Sequence, residues 1–492
     1  LKNNIIRVNS LLTKKISPIL YLLTVSFLSA DSYHNINGFF GEKAAGLGGA
    51  YTAISDDPSG AYYNPAGLTF AYDNSISLSA SNVTRTNKEY ENVIGPGQGY
   101  TRNSQNYIPN FFGIVKEYGK YKIGFSIVNT LNETFNRADQ VVNPIYYPQV
   151  NSLRSYNIES ANQIQTGISI ARAITDKLSV GATLYYTYDT SNATNTALVQ
   201  FANKGFNSIT GTDNRKTMGF NPVLGIMYMP NNKVSLGLSM RHQFVTAGNR
   251  LTNGFATSSG IDSDSIVFAE GTHKANGGSI GQNVYKAGPL NGRIPETSEV
   301  RAGIAVFPTK QLMAAFDTIY TSGFKRNSDQ TEFYYLGGTR NELILKDSDV
   351  QELRRYATWN FAFGLEYFLT DNFSIRAGAF TNKANSRNIS WMRTALESAN
   401  RETGGDSETL AQTANGSVKY QLSSLRTPIR NEYVNLVGYS LGFSWSTSRA
   451  SLGLTIVRET GSGGSQIDSN RPSQQMSYES TAIYVIVSSK NN

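Results

Sequence analysis

Three arginines, Arg241, Arg301 and Arg376, fall on the polar parity of segments in which apolar and polar residues alternate. A guanidinium is a planar fork of donors that matches a carboxylate, so these positions are candidates for holding an acid. The competing use is an ion pair with a nearby carboxylate, for which Asp317 and Glu366 are placed. A second group, Ala197, Leu198, Phe201, Ala202 and Phe206, recurs at helix-like spacing inside polar sequence and predicts an amphipathic loop helix. Leu198, Phe201 and Phe206 are the candidates there for touching an apolar ligand, the alternative being a helix that only covers its neighbours as a lid. Trp391, Ala395 and Leu396 make a weaker stripe of the same kind.

Catalytic chemistry finds little support. Gly438-Tyr439-Ser440-Leu441-Gly442 has the spacing of a nucleophile elbow, but an elbow needs a strand-to-helix turn and this run lies in the middle of an alternating segment. His34, His242 and His273 are the three histidines, none at metal-ligand spacing from another, and cysteine is absent, so disulfides and thiolate metal sites are excluded. Neither an enzyme nor a bound metal, nucleotide or other cofactor is expected.

The alternating segments that carry these residues set the fold class. In Leu178 to Asp189 the residues Leu178, Val180, Ala182, Leu184, Tyr186 and Tyr188 share one face, and Ser179, Gly181, Thr183, Tyr185, Thr187 and Asp189 the other. Val234 to Arg241, Trp359 to Tyr367 and Val437 to Trp445 repeat the pattern. Tight turns join them at Tyr118-Gly119-Lys120, Thr175-Asp176-Lys177, Pro230-Asn231-Asn232, Pro308-Thr309-Lys310, Thr370-Asp371-Asn372 and Thr447-Ser448-Arg449. Each tight turn is followed, one strand later, by a long polar stretch: Thr84 to Ile108, Asn132 to Ala161, Thr190 to Thr217, Thr246 to Glu296, Ser322 to Tyr356, Ala384 to Tyr433 and Glu459 to Glu479. Short connections on one rim and long ones on the other are the mark of a transmembrane β-barrel, and about fourteen strands, an even number, are read from Asn74 onward. A secreted β-sandwich or propeller also alternates, but its connection lengths need not.

Composition agrees with that reading. Charged residues are 16% of the 492, Tyr and Phe far outnumber Trp, and barrel strands hide their apolar face in alternation, so a low overall hydropathy is compatible with a membrane. Lys2, Arg7, Lys14 and Lys15, the apolar run Ile16 to Phe27 and Leu28-Ser29-Ala30 read as a signal peptide over residues 1–30. Its loss removes four of the formal charges of +8 and leaves about +4, too weak a balance to imply nucleic acid, although exposed Lys and Arg can meet anionic headgroups.

Between that leader and the first strand lies Gly41 to Phe70, rich in small residues. Gly46, Gly48, Gly49 and Gly60 allow close backbone approach, Asp56 or Asp57 can cap a turn beginning at Pro58, and Asn64-Pro65-Ala66-Gly67 is turn chemistry. The run Ala45-Gly46-Leu47-Gly48-Gly49-Ala50, Asp56-Asp57 and Asn64-Pro65-Ala66 resembles the N-terminal signature of FadL/TodX outer-membrane transporters of long-chain fatty acids and aromatic hydrocarbons. The resemblance covers about thirty positions. It implies that residues 31–73 form a hatch inside a fourteen-stranded barrel of residues 74–492 in the bacterial outer membrane, inserted by the barrel-assembly machinery among lipid and lipopolysaccharide. It further implies passive uptake of a hydrophobic ligand, a long-chain fatty acid by default, by outer capture, displacement of the hatch around Asn64 to Ala66, and lateral exit through the wall. Pro222 in the sixth strand would interrupt a ladder there. PorV-like barrels that bind secreted protein cargo carry a similar segment, and a general porin or adhesin would also have long loops. The chain departs from many such barrels in ending Ser488-Ser489-Lys490-Asn491-Asn492 rather than in an aromatic residue.

Overall fold

The computed structural model describes residues 33–107, 109–148, 150–202, 205–259, 281–290, 294–327, 331–337, 341–347, 352–389, 392, 410–412, 418–420, 430–467 and 471–491. The predicted leader, His273 and the stripe of Trp391, Ala395 and Leu396 lie outside them.

Fourteen antiparallel strands close into one barrel. In chain order they are β1 (Asn74–Gly95), β2 (Phe111–Tyr118), β3 (Tyr121–Val142), β4 (Val150–Thr175), β5 (Leu178–Phe201), β6 (Phe206–Asn231), β7 (Val234–His242), β8 (Ser298–Val306), β9 (Leu312–Thr321), β10 (Thr358–Phe368), β11 (Phe373–Asn382), β12 (Leu436–Ser446), β13 (Ala450–Gln466) and β14 (Gln474–Asn491). Each pairs with its sequence neighbours, and β14 closes on β1 from Asn74 opposite Asn491 to Tyr90 opposite Met476. The last strand thus pairs with β1 through Asn491. Closure leaves no strand edge unsatisfied in lipid.

Period two then sorts the side chains. On β7, Leu236, Leu238 and Met240 are exposed and Ser235, Ser239 and Arg241 buried; on β12, Val437, Tyr439, Leu441, Phe443 and Trp445 are exposed and Ser440 and Ser444 buried. Apolar outside and polar inside inverts a soluble protein and suits a hydrocarbon solvent.

The outer stretches differ from the loops expected. Strands β3, β4, β5 and β6 are 22, 26, 24 and 26 residues long, whereas crossing a bilayer takes roughly 9–11. The surplus continues outward as paired sheet, in which each added residue exchanges backbone hydrogen bonds with the neighbouring strand. Gln98–Tyr107 likewise pairs with the outer half of β1, and Phe244–Ser259 with that of β6. The helix expected around Ala197 to Phe206 is instead the tip of the β5–β6 hairpin, with Gln200 opposite Phe206. Phe201 is buried there with Tyr147, Val150 and Val199, Leu198 and Phe206 are half-buried, and cross-strand pairing has overridden the helical spacing.

Candidate functional site

The segment from Tyr33 to Asp73 lies inside the barrel, with short helices at Glu42–Gly46, Gly60–Tyr63 and Pro65–Phe70. Its turns are made locally: Gly48 and Gly49 have φ of 61° and 85°, a region only glycine enters freely. Asp57 Oδ1 accepts from Ser59 N at 2.7 Å and fills the capping role. Asp56 instead pairs with Lys43 and accepts from Tyr51 Oη at 2.9 Å. Burial opposes charge on both partners, but their mutual attraction prevails, holding Lys43 above its usual range and Asp56 below. Asp57 is pushed up by burial and by the neighbouring Asp56.

Inward glycines let this segment touch the wall. A Cβ at Gly237 would lie 2.2 Å from Thr52 O, and one at Gly378 2.4 Å from Gly48 N. Gly181, Gly225, Gly303, Gly364 and Gly453 are approached in the same way. Hydroxyls and carboxylates between them satisfy the backbone so enclosed. Ser179, Ser235, Ser239 and Ser440 donate to the carbonyls of Ala66, Ala53, Tyr63 and Gly46 at 3.0, 2.7, 2.7 and 2.8 Å. Asp317 Oδ2 accepts from Tyr51 N and Thr52 N at 3.0 and 2.8 Å. Ser440, the serine of the elbow-like run, is a mid-strand fastening.

Asn64 to Ala66, expected to move, is tied down. Asn64 Nδ2 donates to Thr52 O at 2.8 Å and Ile226 O at 3.0 Å, Asn64 Oδ1 caps Ala66 N at 3.2 Å, and Pro65 presses on Gly181. The strap Tyr33–Phe40 is fastened as well, with Ile36, Phe39 and Phe40 buried in the luminal core and polar contacts to the wall along its length. Tyr33 O accepts from Asn385 N at 2.8 Å, Ile36 O accepts from Asn382 Nδ2 at 2.6 Å, and Phe39 O accepts from Asn110 Nδ2 at 2.8 Å.

Strap and floor enclose a cavity of about 110 Å³ lined by Phe39, Phe40, Tyr62 and Tyr63 on one side and Thr130, Gln163, Gln165, Asn221, Arg241 and Arg301 on the other. Two of the three predicted arginines meet there. Both contact Glu299 Oε1, Arg301 Nε at 2.6 Å and Arg241 Nε at 3.1 Å, so their acid is Glu299 and not Asp317. Arg241 also donates to Tyr62 O and stacks 4.0 Å from that ring. Arg376 lies apart, below the cavity, between Glu366 at 2.7 Å and Glu42 at 2.8 Å, and fastens the floor. Burial would raise Glu42, but Arg376 and hydroxyls on Ser444 and Ser451 outweigh it and hold the carboxyl below its usual range. Glu299 stands two residues from Arg301 and shares its face; that i, i+2 spacing was the legible signal for the pair.

Between β1 and β2 the wall is thinly paired. The β1–β2 ladder runs only from Asn74–Lys116 to Leu78–Phe112, after which β1 pairs with Gln98–Tyr107 from Val83 outward. Register shifts fall at the same level, between Ser79 and Ser81 on β1 and between Asn129 and Leu131 on β3. Pro222 marks another change of partner, with β6 paired to β7 up to Val223 and to Phe244–Ser259 from Phe220.

Comparison with known proteins follows the fold. The profile of the family described as outer membrane protein transport protein (OMPP1/FadL/TodX) matches residues 38–390. The Pseudomonas aeruginosa FadL homologue aligns with a TM-score of 0.55 at 12% identity, over 93% of this chain and 99% of that one. The P. putida toluene transporter TodX gives 0.56 at 13%, over 93% and 99%. The Ralstonia pickettii toluene transporter TbuX gives 0.53 at 15%, over 93% and 100%. No curated protein sequence matches the chain.

Proposed function

This chain belongs to the outer membrane protein transport family (OMPP1/FadL/TodX), and from that premise we propose that it admits acid-headed hydrophobic compounds, long-chain fatty acids being the reference case, by passive diffusion. At the coarser level it is an outer-membrane channel for hydrophobic small molecules and not an enzyme.

The observation that carries the acid-headed reading is the cavity's pair of guanidiniums sharing one carboxylate, Glu299. A carboxylate entering there meets the fork donors of buried arginines, where charge-assisted bonds are strong. The apolar part of the ligand lies against Phe39, Phe40, Tyr62 and Tyr63. Capture begins among the outer hairpins, where Leu198, Phe201 and Phe206 stay candidates as strand residues. Exit is lateral, through the thinly paired β1–β2 seam, when Asn110 releases Phe39 O and the strap moves. Movement is assigned to Tyr33–Phe40 in place of Asn64–Ala66, because the strap both lines the cavity and contacts Asn110 at the seam.

Mass spectrometry of what the detergent-purified protein retains tests this, followed by uptake into proteoliposomes. A bound carboxylic acid, taken up by wild type and less well by Arg301→Gln, supports the reading. Co-purification with a secretion complex and no acid would favour a cargo-binding barrel; swelling of liposomes in small sugars would favour a porin.

A further inference from the structure

We infer that the exterior of the barrel where β13, β14 and β1 meet binds the phosphorylated disaccharide head of lipopolysaccharide through Arg458 and Arg85. The surface lies outside the wall, apart from the luminal cavity, so the inference is independent of the acid-headed reading.

Register places the two arginines. On the outward parity of β12, β13, β14 and β1, the residues Leu441, Ile456, Ile483 and Val83 stand side by side in one cross-strand row. The next row toward the outside is Tyr439, Arg458, Thr481 and Arg85, and the one beyond it Val437, Thr460, Glu479 and Asn87. Leu441, Ile456 and Ile483 are exposed, as residues that face hydrocarbon are, and so are Arg458 and Arg85. Counted from Ala450, the start of β13, Arg458 falls where the roughly 9–11 residues that carry a strand across a bilayer end. On these four strands the arginines therefore make the first charged row above the apolar band, beside the exposed ring of Tyr439, at the level where acyl chains give way to headgroups.

Charge decides the partner. Arg458 Nη2 meets Glu479 at 3.3 Å, but the two side chains are 62% and 56% exposed. An exposed pair of that kind contributes only about 0–1 kcal/mol, so it competes weakly with a phosphate for the guanidinium. Arg85 has no acid partner among the described residues. Two forks against one carboxylate leave a positive edge facing an anionic headgroup layer. Thr481 separates the arginines by two strand spacings, roughly 10 Å, which suits a head with two phosphates on one disaccharide, each taken by a fork. Acyl chains of the same lipid then lie on Leu441, Ile456 and Ile483. A phospholipid has a single phosphate and engages one arginine.

Native mass spectrometry of the detergent-purified protein, with diphosphoryl lipid A, monophosphoryl lipid A and phosphatidylglycerol as separate probes, tests this. Wild type is expected to hold the diphosphoryl form most tightly, and the double variant Arg85→Gln, Arg458→Gln to hold it roughly 10-fold more weakly, near the level of the monophosphoryl form. Replacing both by Lys, which keeps the charge and loses the fork, should restore binding only in part. Lys216→Gln removes another exposed cation, on β6 just beyond the exposed Met218, and should change nothing. Heat-modifiable migration in gels confirms that each variant folds. No lipid A on wild type, undiminished binding in the double variant, an equal loss in Lys216→Gln, or phosphatidylglycerol held as tightly as diphosphoryl lipid A would each overturn the inference.

Discussion

Arg376 on β11 reaches Glu42 of the luminal segment at 2.8 Å while its Nε holds Glu366 of the neighbouring strand at 2.7 Å. One buried cation therefore fastens the floor to the barrel. Removing a single partner of such a group leaves uncompensated charge, which costs about 3–5 kcal/mol. Arg376→Ala should keep a folded barrel and undock residues 41–49, read as faster backbone hydrogen exchange there.

The same pair sets an acid limit. Glu42 is held below its ordinary value of 4.5, so its contribution is present above that pH and is lost as pH falls through the lower, folded value. Exchange in residues 41–49 should accelerate only below about pH 4.5 in wild type. In Arg376→Ala the carboxyl keeps its burial without its counter-ion, so the transition should move to higher pH. An unchanged acid profile in the variant would show that the pair does not control docking.

Gly237 tests whether the floor is seated by close contact. A Cβ there falls 2.2 Å from Thr52 O, backbone that cannot yield as a flexible side chain would. Gly237→Val should still give a heat-modifiable barrel but raise single-channel conductance in planar bilayers, since the floor no longer seals. Closed channels in that variant would mean the segment tolerates lifting.

Asn64→Ala removes two donors and a cap. Loss of an Asn cap costs about 0.5–2 kcal/mol, and each further hydrogen bond about 1 kcal/mol. The expected phenotype is a leaky floor with uptake retained, visible as greater sensitivity of cells to hydrophilic antibiotics at normal surface levels. Abolished uptake would return the moving part to Asn64–Ala66.

Asn110→Ala addresses the seam. Its amide ties the top of β2 to the strap through Phe39 O, a bond of about 1 kcal/mol net. Release should speed fatty-acid uptake into proteoliposomes several-fold with little change in thermal stability. A slower variant would place the exit elsewhere, with the change of partners at Pro222 the next position to examine.

Alternation of side chains fixed the barrel, its strand faces and its short rim from sequence alone, because a period of two needs no partner to be read. Small residues and turn chemistry between Gly41 and Phe70 marked a compact segment, and its resemblance to the FadL/TodX signature implied the lumen as its place; of Asp317 and Glu366, the two acids offered to the three arginines, Glu366 pairs with Arg376. Three matters needed the tertiary structure. Leu198, Phe201 and Phe206 were spaced like a helix but became strand, since pairing across the hairpin outweighs local periodicity. Parity put Arg241, Arg301 and Arg376 on one face but said nothing of height along the barrel, and height separates the open Nη atoms of Arg301 from an Arg376 enclosed by two acids. Wall glycines such as Gly237 and Gly378 read as polar-face positions, and only the folded segment pressed against them shows that a missing side chain was the requirement. A strand records which way a residue points; what stands opposite is set by closure, which brings together residues hundreds of positions apart.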